Sequence, residues 1–271
     1  MSDATRGVLA VARLEFQQAL WSVRSLALGA LFLLFVAAGA FLGVGAVVGA
    51  PGAVPTDAAA GLVILAIVIM TAFFAPFIAM FSTVDAIVGE RSARTLDMLL
   101  SRPVTRRGLA LGKLLGRAAH LALIAYVAMF LGLLIIASQA APPAAEAFTL
   151  AVLVALLCTV WVSLALLVSA LARTPTSALV AGVAVWLMFY VFWGFVKGGL
   201  DRVGMGGLAA LLNPNTLFLG AVQAMVPSMT NLGQLTQGLN TDFALPALLV
   251  FLLAAAFLAV EVFGRQDEAG I

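Results

Sequence analysis

The chain has 271 residues, 64% hydrophobic and 10% charged, with a mean hydropathy of +1.17 and a formal net charge of +2. A water-facing domain carries roughly 25% charged residues, so an ordinary soluble surface is excluded, and one helical membrane domain over 1–271 uses the whole length. The basic residues lie in the gaps between apolar stretches, so the pI near 9.1 is no nucleic-acid footprint and no nucleic-acid partner is expected.

The first element is polar and charged up to Arg24, without the short apolar region and cleavage site of a secretory signal. At about 100° per residue, Arg6, Arg13, Gln17 and Arg24 form one stripe, and Ala12, Phe16, Ala19 and Val23 group elsewhere on the wheel. Residues 4–24 therefore read as a helix along the membrane surface, its basic side toward lipid headgroups and water. A plain positively charged lead-in to the first span is the alternative.

Five charge-free intervals of more than twenty residues follow: Arg24 to Asp57, Asp57 to Asp85, Arg117 to Glu146, Glu146 to Arg173 and Arg173 to Lys197. A helix needs about 20 apolar residues to cross the hydrocarbon core, and only helices satisfy every backbone group there. Spans are expected near 26–48, 60–81, 118–137, 148–171 and 178–196, with a sixth near 243–262. Twelve lysines and arginines fall on one side of this map, and only Lys197 and Arg202 on the other. The basic side, with both termini, is expected in the cytoplasm.

Residues 198–242 form the external region of this map. Within it, 204–226 is long and uncharged but broken by Asn213, Pro214, Asn215 and Gln223, with Gly204, Gly206 and Gly207 loosening its start. Asn-Pro is a turn signal and the residue before proline leaves helical geometry. The expectation is a broken, partly inserted helical hairpin between spans five and six rather than a seventh span.

An energy source is absent from the pattern. The nearest approach to a phosphate-cradling loop, Gly108 to Lys113 and then Leu114, has the wrong spacing and no hydroxyl for magnesium. The middles of the spans carry no ionisable residue for ion coupling, and no Cys/His cluster has metal-ligand spacing. No catalytic residue, cofactor site or metal site is expected. His120 reads as a neutral interfacial histidine, Cys158 as a packed thiol, and Glu261 as a local pair with Arg265 four residues on.

The segment 85–113 is the most informative. Glu90 precedes Arg94 by four residues and Arg94 precedes Asp97 by three, spacings that support a short helix outside the bilayer. Pro103 stops it, and Leu96, Met98, Leu99 and Leu100 give it an apolar end suited to a groove on a partner. On charge alone, a solvated loop that only sets topology is an equal reading.

The run from Asp85 through Gly89-Glu90, Thr95-Leu96, Leu99-Leu100 and Ser101-Arg102-Pro103-Val104, with Gly112-Lys113 after it, resembles type-2 ABC exporter permeases. The opening Val11-Ala12-Arg13-Leu14-Glu15-Phe16 is similar to that family's elbow helix, and Asn213-Pro214 and Phe263-Gly264-Arg265-Gln266-Asp267 have counterparts there. Within the family, residues 85–90 and Leu211-Leu212-Asn213-Pro214 look most like NosY-like permeases, which serve copper-site maturation of nitrous-oxide reductase. Gln266 departs from the pattern, standing where the family often has a further basic residue.

The resemblance implies an all-α, six-span membrane subunit with an elbow helix, a cytoplasmic coupling helix and an external hairpin, in a prokaryotic inner membrane. It implies two partners: a separate cytoplasmic ATPase, and a second permease copy that shares the translocation path. Glu90, Arg94, Thr95 and Leu99 are the expected ATPase contacts, with Arg13 and Glu15 on the elbow helix beside them. Copper- or sulfur-related cargo is implied only through the NosY-like members. A membrane scaffold that recruits a cytoplasmic protein without a substrate path is the competing reading.

Overall fold

The computed structural model describes residues 3–49, 56–96, 104–137, 144–229, 236 and 239–267, and no strand occurs among them. Helix α1 covers Asp3–Trp21. Ser22 then accepts a hydrogen bond from the Ser25 amide at 3.0 Å and caps α2, Val23–Val48. This cap splits the expected 4–24 helix: Val23 and Arg24 belong to α2, where Val23 is exposed.

Helix α3 covers Thr56–Thr83 and continues through turns at 84–87 into the short α4, Val88–Ser92. Helix α5, Arg106–Ala137, begins well before the expected 118. Its basic first turns are helical because charge ends a membrane span, not a helix; about 48 Å of helix at 1.5 Å per residue exceeds the bilayer core.

Helix α6 is Ala144–Leu171. Helix α7, Pro175–Leu187, opens on a reciprocal cap in which Thr174 and Ser177 bond each other's backbone, with Pro175 in the first turn. It runs through a π-helical stretch, Met188–Phe192, into α8, Trp193–Arg202. Two shorter helices, α9 (Gly206–Leu212) and α10 (Pro214–Met225), meet at a 91° bend. Helix α11 is Ala244–Gly264.

Six of these stretches are long and apolar enough to cross a membrane: Val23–Val48, Gly61–Ser92, Arg106–Gly132, Ala144–Leu171, Pro175–Arg202 and Thr241–Gly264. The chain is a multi-pass membrane protein with six candidate spans, as the charge-free intervals predict. The bent α9–α10 pair lies between the fifth and sixth, and Asn213 makes the break. Its backbone is extended and its side chain accepts from the Asn215 amide at 2.9 Å.

Helix α6 is the hub, packed against α3, α5, α10 and α11. Its Leu157, Val160, Trp161 and Ala165 are fully buried. Between α2 and α3 the approach is set by Gly39 and Gly43; a Cβ on Gly43 would come within 2.5 Å of the Val63 Cα. Small residues four apart let helix backbones approach where lipid offers no hydrophobic drive to associate.

Candidate functional site at the basic end of the bundle

Helix α1 lies along the first turns of α5 because α5 presents Gly108, Gly112 and Gly116 on one face. A Cβ on Gly112 would come 2.6 Å from Val11, and one on Gly116 2.4 Å from the Ala12 carbonyl. The inner face of α1 thus runs through Val8, Val11, Ala12 and Glu15, turned to protein rather than to lipid headgroups. Arg13 stays exposed on the outside. Those three glycines are the docking stripe; in the sequence Gly108 figures only in a failed phosphate loop, Gly112 only beside Lys113, and Gly116 in no pattern.

The close approach buries charge. Lys113 has no exposed side-chain surface, and its Nζ donates to Glu15 Oε1 at 2.5 Å and to Glu90 Oε1 at 2.5 Å. Arg117 adds a bond from Nε to Glu15 Oε2 at 3.0 Å and one from Nη1 to the Ser82 carbonyl at 2.6 Å. Burial works to raise the Glu15 carboxyl, but Lys113 and Arg117 outweigh it and hold it below the ordinary carboxylate range. Three elements, α1, α4 and α5, are joined at one ammonium group.

Segment 85–96 is pinned on its other sides as well. The amides of Ile87 and Val88 donate to Ser169 Oγ at 3.0 and 3.1 Å, so α6 supplies the acceptor for amides that the start of α4 leaves without helical partners. Arg91 donates to the Ala172 carbonyl at 3.2 Å and to Gln266 Oε1 at 2.5 Å, while Gln266 Nε2 donates to the Ala170 carbonyl at 2.6 Å. Gln266 therefore needs both an acceptor and a donor, and a basic side chain there would face Arg91 as a like charge. Arg24 pairs with Asp85 and with the Phe81 carbonyl, so two cations cover the carbonyl end of α3. Glu261 pairs with Arg265 at 2.7 Å, as its spacing predicts, and also with Arg107 at 2.9 Å.

The expected helix over this segment needs correction. Helix α4 ends at Ser92, and Arg94 takes a left-handed backbone with φ of 56°. The four-residue spacing between Glu90 and Arg94 therefore loses its helical meaning, and Glu90 turns inward to Lys113 instead of pairing with Arg94. Arg94 is exposed, and Thr95 donates both its amide, at 3.0 Å, and its hydroxyl, at 3.3 Å, to the Glu90 carbonyl. Leu99 and the Arg94–Asp97 spacing lie outside the described residues. Between α1 and this segment runs a groove of about 330 Å³ lined by Arg13, Glu15, Gln17, Glu90, Val104 and Leu109. Glu90 Oε2 is buried without a hydrogen-bond partner among the described residues.

Of the sequence-derived residues, the structure gathers Glu15, Glu90 and Arg13 at this groove, while Arg94 and Thr95 are exposed and not part of its lining. Lys113, Arg117, Ser169, Arg91 and Gln266 were not singled out as site residues. Their partners lie from 23 to 175 residues away, and local spacing carries no trace of them. His120 is buried with its ring edge on Phe16 at 6.3 Å, and no hydrogen-bond partner for either ring nitrogen occurs among the described residues. No group of three or more His, Cys, Asp or Glu able to hold a metal occurs among the described residues.

Comparison with known proteins adds to this geometry. The sequence pattern of the family described as "ABC-2 family transporter protein" matches residues 9–268. A protein described as "Probable ABC transporter permease protein NosY", from Pseudomonas aeruginosa, is 31% identical over 160 residues. That alignment covers 55% of this chain and 56% of the relative, so the chain spans little more than half the length of the curated relative it matches.

Proposed function

The chain belongs to the ABC-2 family of transporter proteins, a membrane permease subunit, and from that premise we propose that it receives force from a separate ATPase at the groove between α1 and residues 85–96. The carrying observation is the Lys113 ammonium, which joins Glu15 of α1 and Glu90 of α4 to the long helix α5. A push on the 85–96 segment is transmitted along α5 because buried, geometrically tight ion pairs do not slip. In this reading the basic end and both termini are cytoplasmic, and two copies of the chain share the path. ATP hydrolysis belongs to the partner, and cargo leaves an inner membrane. Copper- or sulfur-related cargo follows from the likeness to NosY-like permeases alone.

Glu90, Arg94 and Thr95 are the proposed ATPase contacts among the described residues, with Leu99 beyond them and Arg13 and Glu15 of α1 beside them. Single cysteines at 85–96 are expected to crosslink to the co-expressed ATPase while cysteines on α9 do not. Crosslinks confined to α9, or none at 85–96, would remove the assignment. A scaffold without a substrate path would crosslink in the same places, but its ATPase partner would show no stimulation by any transported compound.

A further inference from the structure

The break between α9 and α10 carries a hydrogen-bond imbalance that force transmission at the opposite end does not use. Asn215, in the first turn of the twelve-residue α10, is 6% exposed. Its Oδ1 accepts from Trp161 Nε1 at 3.2 Å, near the middle of α6. An indole N–H only donates, so this bond fixes the amide orientation, and the donor Nδ2 is left buried with no partner among the described residues. Beside it, Asn213 uses its Oδ1 on the Asn215 amide at 2.9 Å and its Nδ2 on the Phe189 carbonyl at 3.1 Å.

Phe189 belongs to the π-helical stretch, and so does Tyr190, whose ring lies 6.4 Å from that of Trp161 and 5.2 Å from that of Trp186. The Tyr190 hydroxyl and Trp186 Nε1 are also buried without partners among the described residues. The side-chain oxygens of both asparagines are thus engaged, while three groups able to donate are left over. A π-helical insertion in a span is a common mark of function, and a polar group left unpaired at membrane depth is costly.

We propose that the α9–α10 break, with Trp161 and Tyr190, is a binding site for an uncharged hydrogen-bond acceptor, a carbonyl or ester oxygen, on an apolar body. A bare anion is disfavoured because Asn213, Asn215, Trp161, Trp186 and Tyr190 bring no positive charge, and an unpaired charge in a dry site is far costlier than a dipole. A water molecule would bring two more hydrogens to a place already short of acceptors. The aromatic rings of Trp161, Trp186 and Tyr190 suit the apolar body. As a place for cargo the site rests on the permease reading; as a binding site it does not, and its test needs no ATPase.

Benzophenone is a suitable probe, because its carbonyl is both the acceptor and the photoreactive group. The full-length protein in lipid nanodiscs is labelled and the adducts mapped by mass spectrometry. Adducts are expected to concentrate around Trp161, Tyr190 and Asn215, with excess acetophenone competing and ethylbenzene, which lacks the oxygen, not competing. Tyr190→Phe is expected to lower labelling about five-fold, roughly the factor of one neutral hydrogen bond, with unchanged thermal unfolding. Asn215→Leu is expected to abolish it.

Labelling spread evenly over lipid-facing positions, equal competition by ethylbenzene, or unchanged labelling in Tyr190→Phe would overturn the site. Ether-linked lipids separate two sources of acceptor. Labelling that rises when they replace ester lipids identifies a lipid carbonyl as the resident group, and unchanged labelling identifies a free solute.

Discussion

Lys113 is the residue on which the basic end turns. Removing one member of a buried ion cluster leaves the others uncompensated, at a cost of about 3–5 kcal/mol. Lys113→Met strands Glu90, leaves Glu15 with Arg117 alone, and is expected to lower thermal stability in detergent by that order, with Glu90→Gln in the same chain restoring part of it. Equal stability of Lys113→Met and the parent would show that the ammonium carries no structural load. Glu15 gives a second test with a definite sign. Its carboxyl is held below the usual value of 4.5, so its contribution is full above that value and lost as pH falls through the lower, folded-state value. Unfolding temperature is expected to drop on acidification below about 4.5, and Glu15→Gln to flatten that drop.

At the scale of elements, α1 is held by shape as well as charge. Gly116→Val puts side-chain carbon where the Ala12 carbonyl and Glu15 already sit, so α1 is expected to lift from α5. Protease cleavage within residues 5–21 should then rise several-fold while the six spans remain protected. Equal protection of α1 would show that its docking tolerates bulk at this position. The spans were legible because long charge-free intervals have one stable solution in lipid, and the break between α9 and α10 because the residue before a proline is pushed out of helical geometry. The inner face of α1 was not legible. The wheel set Ala12, Phe16 and Ala19 apart from Arg6, Arg13 and Gln17, but its last members, Val23 and Arg24, belong to α2. It placed Glu15 outside any pattern because the partners of Glu15 arrive only with α5. The end of α4 was misjudged for the reverse reason: Glu90 has a helical neighbour at four residues and a stronger, fully buried partner 23 residues on.

For the whole molecule, basic groups gather at one end, and the bent α9–α10 pair falls between the fifth and sixth candidate spans. Pro175–Arg202 is the least covered of the spans, and its aromatic residues divide accordingly. Trp186 stacks on Tyr190 and Phe189 on Trp193, and Trp186 and Tyr190 also meet Phe73, whereas Phe192 is half exposed. If the chain relays force, ATP turnover by the reconstituted complex should survive Lys113→Met while transport per ATP falls. Loss of both in proportion would place Lys113 in assembly of the complex and not in coupling.

The lysine that joins α1 to α5 also sets a calendar for synthesis. Glu15 leaves the ribosome 98 residues before Lys113, so α2 and α3 are made while α1 still lacks its partner. Only when α5 emerges with its glycine stripe and its ammonium group can α1 close. The docking of α1 therefore waits for the start of the third candidate span to be made.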